Sequence, residues 1–172
     1  MADIAVLDAS VILLIIAPVK DSDPEDRRLR RERTLESLRE YRKDKVHFVV
    51  PAPTIVEIAA GPSKNIDAMN KLLARLGGSH VEPLEDLSAR AAGASLRKTL
   101  HARSEDERRD GVKFDALIAG IAHAMGARYV LTANARDFQK HLRELKSKVE
   151  VVQVDAAKTT GQLRIIDQTP KS

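Results

Sequence analysis

A chain of 172 residues, 43% of them hydrophobic, has the size of one domain and enough apolar material for a substantial core. It has no cysteine, which excludes disulfide frameworks, thiolate zinc sites and thiol catalysis and suits a reducing compartment. The formal net charge of +4 favours polyanionic partners through counterion release, while 3% aromatic content without tryptophan excludes base stacking as the main grip on nucleic acid.

In chain order, Ile4-Ala5-Val6-Leu7 reads as a buried strand that turns, after Asp8, into a short helix beginning Ala9-Ser10-Val11. The longest apolar run, residues 11–17, stops at Pro18, well short of the roughly 20 residues a membrane span needs. With no basic leader at Met1-Ala2-Asp3, the expectation is a cytoplasmic protein with no membrane association. Asp21-Ser22-Asp23-Pro24 marks a loop before a long helix over residues 25–43, whose dense Arg and Glu read as a solvated face. Residues 46–50 form a second strand, and Pro51-Ala52-Pro53 punctuates before a short helix over 54–61 closed by Gly61. An amphipathic helix over 65–76 ends at Gly77-Gly78, His80-Val81-Glu82 is a short edge strand, and a helix follows from Ser88 to about residue 102. Residues 104–110 read as a charged loop, 114–125 as an Ala- and Gly-rich helix packed on a sheet, and 129–131 and 149–154 as the last strands. Alternating strands and helices predict an α/β fold, a three-layer α/β/α sandwich around a mostly parallel sheet. The domain is expected over residues 1–155, with a tail over 156–172 in which Leu163-Arg164-Ile165-Ile166 has the character of an added strand.

Four acids sit where apolar elements change type: Asp8 after the first strand, Glu57 after the second, Asp115 at the start of the helix feeding the next strand, and Asp137 after that strand. Each has an ordinary reading. Asp8 suits an N-cap and Asp115 the first turn of its helix, Thr54-Ile55-Val56-Glu57 matches a capping box, and Asp137 is an unremarkable loop acid. Jointly they mean more, because the carboxyl ends of strands in an open parallel sheet converge on one crevice. Two carboxylates about 4 Å apart repel by roughly 4 kcal/mol at an effective dielectric near 20, so such a cluster needs a cation or protons. With oxygen donors and no cysteine, the expected ion is Mg²⁺ or Mn²⁺. His47, His80, His101, His123 and His141 have no metal-ligand spacing and read as surface or packing residues, and no glycine-rich phosphate loop occurs.

Val6-Leu7-Asp8-Ala9-Ser10, Pro53-Thr54-Ile55-Val56-Glu57-Ile58, Asp115-Ala116-Leu117-Ile118-Ala119 and Leu131-Thr132-Ala133-Asn134-Ala135-Arg136-Asp137-Phe138 together resemble the PIN-domain family, and more closely its VapC-type toxin ribonucleases. The resemblance spans residues 4–154. It implies that Asp8 and Asp115 are the principal metal ligands, that Glu57 and Asp137 bind a second ion or position water, and that Ser10 is the family's hydroxyl beside the metal. Asn134 stands where many relatives carry an acid, leaving Asp137 as the fourth carboxylate. The resemblance further implies a Mg²⁺- or Mn²⁺-dependent endoribonuclease, the toxin of a type II toxin–antitoxin pair acting on RNA such as tRNA, homodimeric and restrained by a cognate antitoxin. Three other readings are weighed beside it: a receiver-like phosphoacceptor domain, for which Asp3 is too far from Asp8 to form the adjacent acid pair; a catalytically inactive PIN-fold interaction module; and a flap-type DNA nuclease, whose additional acids are absent.

Overall fold

The computed structural model describes residues 2–18, 23–77, 79–101 and 109–156. Short runs rich in branched side chains become the strands β1 (Ile4–Leu7), β2 (His47–Pro51), β3 (His80–Glu82), β4 (Tyr129–Thr132) and β5 (Glu150–Gln153). Between them lie the helices α1 (Ala9–Ile16), α2 (Glu25–Lys43), α3 (Ala52–Ala59), α4 (Lys64–Arg75), α5 (Asp86–His101), α6 (Arg109–Ala124) and α7 (Ala135–Glu144). The strands form one sheet in the order β3-β2-β1-β4-β5 with every pair parallel, and Val6 of the central strand faces both Val49 and Val130.

Alternation along each strand divides the core in two. Ala5, Leu7, Phe48, Val50, Tyr129 and Leu131 pack on one face with Val11, Ile12 and Ile15 of α1, Leu38 of α2, Ile58 of α3 and Leu72 of α4. Val6, Val49 and Val130 pack on the other with Ile118, Ala119 and Ala122 of α6 and Phe138 and Leu142 of α7. With both faces covered, the inner strands β1, β2 and β4 are buried along almost their whole length, whereas the edge strands β3 and β5 are exposed or half-buried. The chain steps one way from β1 to β2 and β3, then returns to β4 on the other side of β1. Right-handed crossovers in opposite directions place their helices on opposite faces, and the boundary between β1 and β4 is therefore the topological switch point at which ligands of such sheets bind.

α5 lies against α6 and α7. A Cβ on Gly120 would come within 2.5 Å of the Ser88 carbonyl oxygen and 2.9 Å of the Ala92 nitrogen, so the absence of a side chain there lets two helix backbones touch. Ser95 Oγ is 2.7 Å from His141 Nδ1 in full burial, pinning α5 to α7. The chain after β5 is tied back to α2, where Arg30 Nε donates to Asp155 Oδ2 at 2.7 Å and Ser37 Oγ to the Val154 carbonyl at 3.3 Å.

Several helix boundaries differ from the sequence reading. α3 begins at Ala52, because Pro51 and Pro53 fit the cap and first turn of a helix, where no backbone N–H is needed. It ends through Ala60 and Gly61 N–H bonds to Val56 and Ile58 carbonyls, without the left-handed glycine expected at Gly61. α6 begins at Arg109 rather than Phe114, since a polar turn carrying one glycine costs only about 1 kcal/mol and extends an already packed helix. The rest of the charged loop, residues 104–108, and the proposed strand at 163–166 lie outside the described residues, as do Asp21 and Ser22. α2, α6 and α7 close alike: Val46, Ala127 and Ser147 N–H groups reach back to the Tyr41, Ala122 and Leu142 carbonyls at 3.0, 2.9 and 2.9 Å. The left-handed residue this requires is Gly126 (φ 64°) in α6 but Lys45 (φ 60°) and Lys146 (φ 50°) in α2 and α7, each lysine costing roughly 1 kcal/mol. Among the described residues no helix is long and apolar enough to cross a membrane.

Candidate active site

Asp8 is the residue after β1, at the switch point itself. Its N–H donates to the Leu131 carbonyl at 3.1 Å, continuing the β1–β4 ladder, and it is 5% exposed. It occupies the N-cap position of α1, yet makes no side-chain cap. Its Oδ2 instead accepts from Ser10 Oγ at 2.5 Å and from Thr132 Oγ1 at 2.8 Å. Each of those hydroxyls in turn accepts a backbone amide, Ser10 from Ala133 N–H at 3.0 Å and Thr132 from Asn134 N–H at 2.9 Å. The amides occupy oxygen lone pairs, so the hydroxyl protons are directed at the carboxylate. Burial raises the Asp8 pKa, opposed by the Ser10 and Thr132 hydroxyls and by the adjacent Ala9 and Ser10 amides.

Glu57 reaches the same region from α3. Thr54 does not form the expected capping box, because both residues lie inside the helix rather than at its start. Its buried hydroxyl donates to the Leu7 carbonyl at 3.2 Å, fastening α3 to the end of β1 one turn before Glu57. Burial first and the Asp8 charge second raise the Glu57 carboxyl to about 7.

Asp115 lies in the second turn of α6, not its first, so neither the free N-terminal amides nor an end-cap accounts for it. Burial foremost, then Asp8, Asp137 and Glu57, raise its carboxyl to about 8. The other three acids selected from the sequence thus fall within electrostatic reach of Asp115. Asp137, in the first turn of α7, has partners on both oxygens: its Oδ2 accepts from Asn134 Nδ2 at 2.5 Å and its Oδ1 lies 3.5 Å from Lys140 Nζ. Asn134 therefore steadies the fourth acid rather than replacing it.

The acids share a neighbourhood without forming a ready-made cage: among the described residues no three Asp, Glu or His side chains surround a common point closely enough to hold a metal. Their chemistry nevertheless fits a hard cation. Carboxylates such as Glu57 and Asp115, raised to about 7 and about 8 by burial first and by neighbouring acids second, take up either protons or a divalent ion, and an all-oxygen donor set suits Mg²⁺ or Mn²⁺.

Thr132 escaped the sequence reading. It is fully buried and closes an otherwise apolar strand, so no local pattern distinguishes it; only its partner, 124 residues earlier, reveals it. None of the histidines with described side chains joins the acids: His141 is a packing residue bonded to Ser95, and His80 pairs with Glu82 along the edge strand. Asp3 sits at the opposite end of β1 beside Arg128, at 2.5 Å, which leaves Asp8 without the neighbouring acid that a receiver site requires.

No protein-family model matches the chain, and no curated protein does. Solved structures do. A chain of the crystal structure of VapBC2 from Rickettsia felis bound to a DNA fragment from its promoter superposes with a TM-score of 0.56 at 18% identity, covering 87% of this chain and 97% of that one. A chain of DNA-bound VapBC from Salmonella typhimurium gives 0.53 at 17% identity, with 88% and 98% covered. The likeness is one of fold: this chain has the PIN-like α/β/α architecture of those chains, with a five-stranded parallel sheet.

Proposed function

We propose that this protein is a Mg²⁺- or Mn²⁺-dependent endoribonuclease, the toxin of a type II toxin–antitoxin pair, acting in the cytoplasm. The observation that supports the reading is that Asp8, Glu57 and Asp137, from separate elements, all act electrostatically on Asp115, whose carboxyl is raised to about 8 by burial and by those three acids. The fold shared with chains of two VapBC complexes supports a cognate antitoxin as partner. RNA as substrate, tRNA in particular, and a homodimeric state are what the PIN resemblance implies, and the net charge of +4 suits a polyanionic substrate.

Asp8 and Asp115 would hold the ion, with Glu57 and Asp137 beside it. When bound, a divalent cation supplies Lewis acidity towards the scissile phosphate and acidifies a coordinated water. Glu57, with a carboxyl near 7, suits transient acceptance of a proton from the attacking water. Asp137, held by Asn134 and Lys140, would orient that water or a second ion. In-line attack breaks the P–O3′ bond, leaving a 5′-phosphate and a 3′-hydroxyl.

The test is cleavage of end-labelled tRNA by purified protein with Mn²⁺ and with EDTA. The wild type is expected to cut only with metal, and Asp8→Asn to lose at least about 100-fold, the scale at which misplaced catalytic geometry is felt. An Asp8→Asn protein that cuts as well as wild type would falsify the assignment. A PIN-fold interaction module without catalysis is the second reading, favoured by the lack of any three acids around one point; it requires that Mn²⁺ titrated into the protein show no saturable binding.

A further inference from the structure

We infer that Thr132 is a positioning residue that fixes which oxygen of Asp8 is offered to the metal. This rests on the metal-dependent reading above and adds a residue that the four-acid constellation does not contain.

Thr132 ends β4 with its side chain fully buried beside the first residue of the switch point. Its hydroxyl is a relay with both ends occupied, accepting from Asn134 N–H at 2.9 Å and donating to Asp8 Oδ2 at 2.8 Å. Ser10 repeats the arrangement from the other side, accepting from Ala133 N–H at 3.0 Å and donating to the same Oδ2. The two hydroxyl oxygens are 3.4 Å apart, so both protons converge on one carboxylate oxygen. A carboxylate held at Oδ2 from two directions cannot rotate about its terminal bond without breaking both hydrogen bonds. Oδ1, which neither hydroxyl uses, is the oxygen that Asp8 would offer to a cation. The same relay ties the amides of residues 133 and 134 to Asp8, so the turn entering α7, which carries Asp137, is set by the side chain it faces across the sheet. A threonine that merely filled space at a strand end would need its methyl group, not its hydroxyl.

The experiment measures Mn²⁺ affinity directly, by the electron paramagnetic resonance signal of free Mn²⁺, with thermal unfolding in EDTA recorded alongside. Thr132→Val keeps the shape and deletes the relay; Thr132→Ser keeps the relay and deletes the methyl. Loss of a residue that orients a metal ligand costs about 10- to 100-fold in affinity, which is expected of Thr132→Val, whereas Thr132→Ser should bind as wild type does. Thr34→Val serves as the control for lost stability, since Thr34 is equally buried and its hydroxyl donates to the Arg30 carbonyl within α2; its Mn²⁺ affinity should not move. Should Thr132→Val fail to fold, Thr132→Ala deletes the same hydroxyl without bulk and is expected to show the same loss. Wild-type affinity in either hydroxyl-free variant overturns the inference and leaves the metal reading standing. Absence of saturable Mn²⁺ binding to the wild type overturns both.

Discussion

Replacing Asp115 by Asn should stabilise the metal-free protein, and by an amount that depends on pH. The Asp115 carboxyl rises from 3.8 to about 8 on folding, by burial first and then by the charges of Asp8, Asp137 and Glu57. Its folded form therefore keeps a proton that the unfolded chain has released, and between those pH values the unfolded state binds fewer protons. Stability is then full below about pH 4 and declines until about pH 8. At about 1.4 kcal/mol per pKa unit the rise sets an upper bound of roughly 6 kcal/mol. The group is part-exposed and ionises together with its neighbours, and solvent screening brings the net to about 2 kcal/mol. Asparagine carries no such burden. In EDTA, urea unfolding followed by circular dichroism should show Asp115→Asn more stable than wild type by about 2 kcal/mol at pH 8.5, and by about a third of that at pH 5. Saturating Mn²⁺ should reverse the ranking, because a ligand at 100 times its Kd adds about 2.7 kcal/mol to the protein that binds it. A variant less stable than wild type in EDTA at pH 8.5 would refute the reasoning, since it would mean that the Asp115 charge is welcomed by its surroundings.

Two further expectations concern the scaffold. Gly120→Ala should cost roughly 1–3 kcal/mol, because the added methyl meets the Ser88 carbonyl at 2.5 Å and the Ala92 nitrogen at 2.9 Å, both backbone atoms that move only if α5 does; an unchanged melting temperature would show that α5 shifts freely. Lys45→Gly and Lys146→Gly should each add about 0.5–1 kcal/mol by relieving positive φ at the ends of α2 and α7, net of the larger unfolded-state entropy of glycine. In a chain of this size that is a rise of about 1–4 °C, and a fall in either variant would argue that the lysine side chain itself contributes there.

The centre of the sheet was readable because β1, β2 and β4 are buried on both faces, so Ile4-Ala5-Val6-Leu7 and Phe48-Val49-Val50 are unbroken apolar runs. Helix starts were less legible. Pro51 and Pro53 look like breakers in sequence and are helix-compatible in space, and the polar turn at Arg109 has a loop's composition although it continues a packed helix. Thr54 and Glu57 fit a local capping rule, but the hydroxyl found a stronger, non-local acceptor in the Leu7 carbonyl. The acids could be chosen from their places beside apolar elements, because converging strand ends are a property of the topology. The group that orients Asp8 could not, since a threonine at a strand end carries no local mark of the carboxylate it will meet.

The pairing of β1 with β4 has a consequence in time as well as in space. Asp8 is among the first residues synthesised, yet its hydroxyl donor Thr132 and its neighbours Asp115 and Asp137 arrive more than a hundred residues later. Contacts so distant along the chain close slowly and late. A nascent chain ending before the fourth strand has Asp8 without its Thr132 donor and without Asp137. Under the proposed nuclease function, the complete set of acids is withheld until translation is nearly over, which leaves an interval in which the proposed antitoxin can already be waiting.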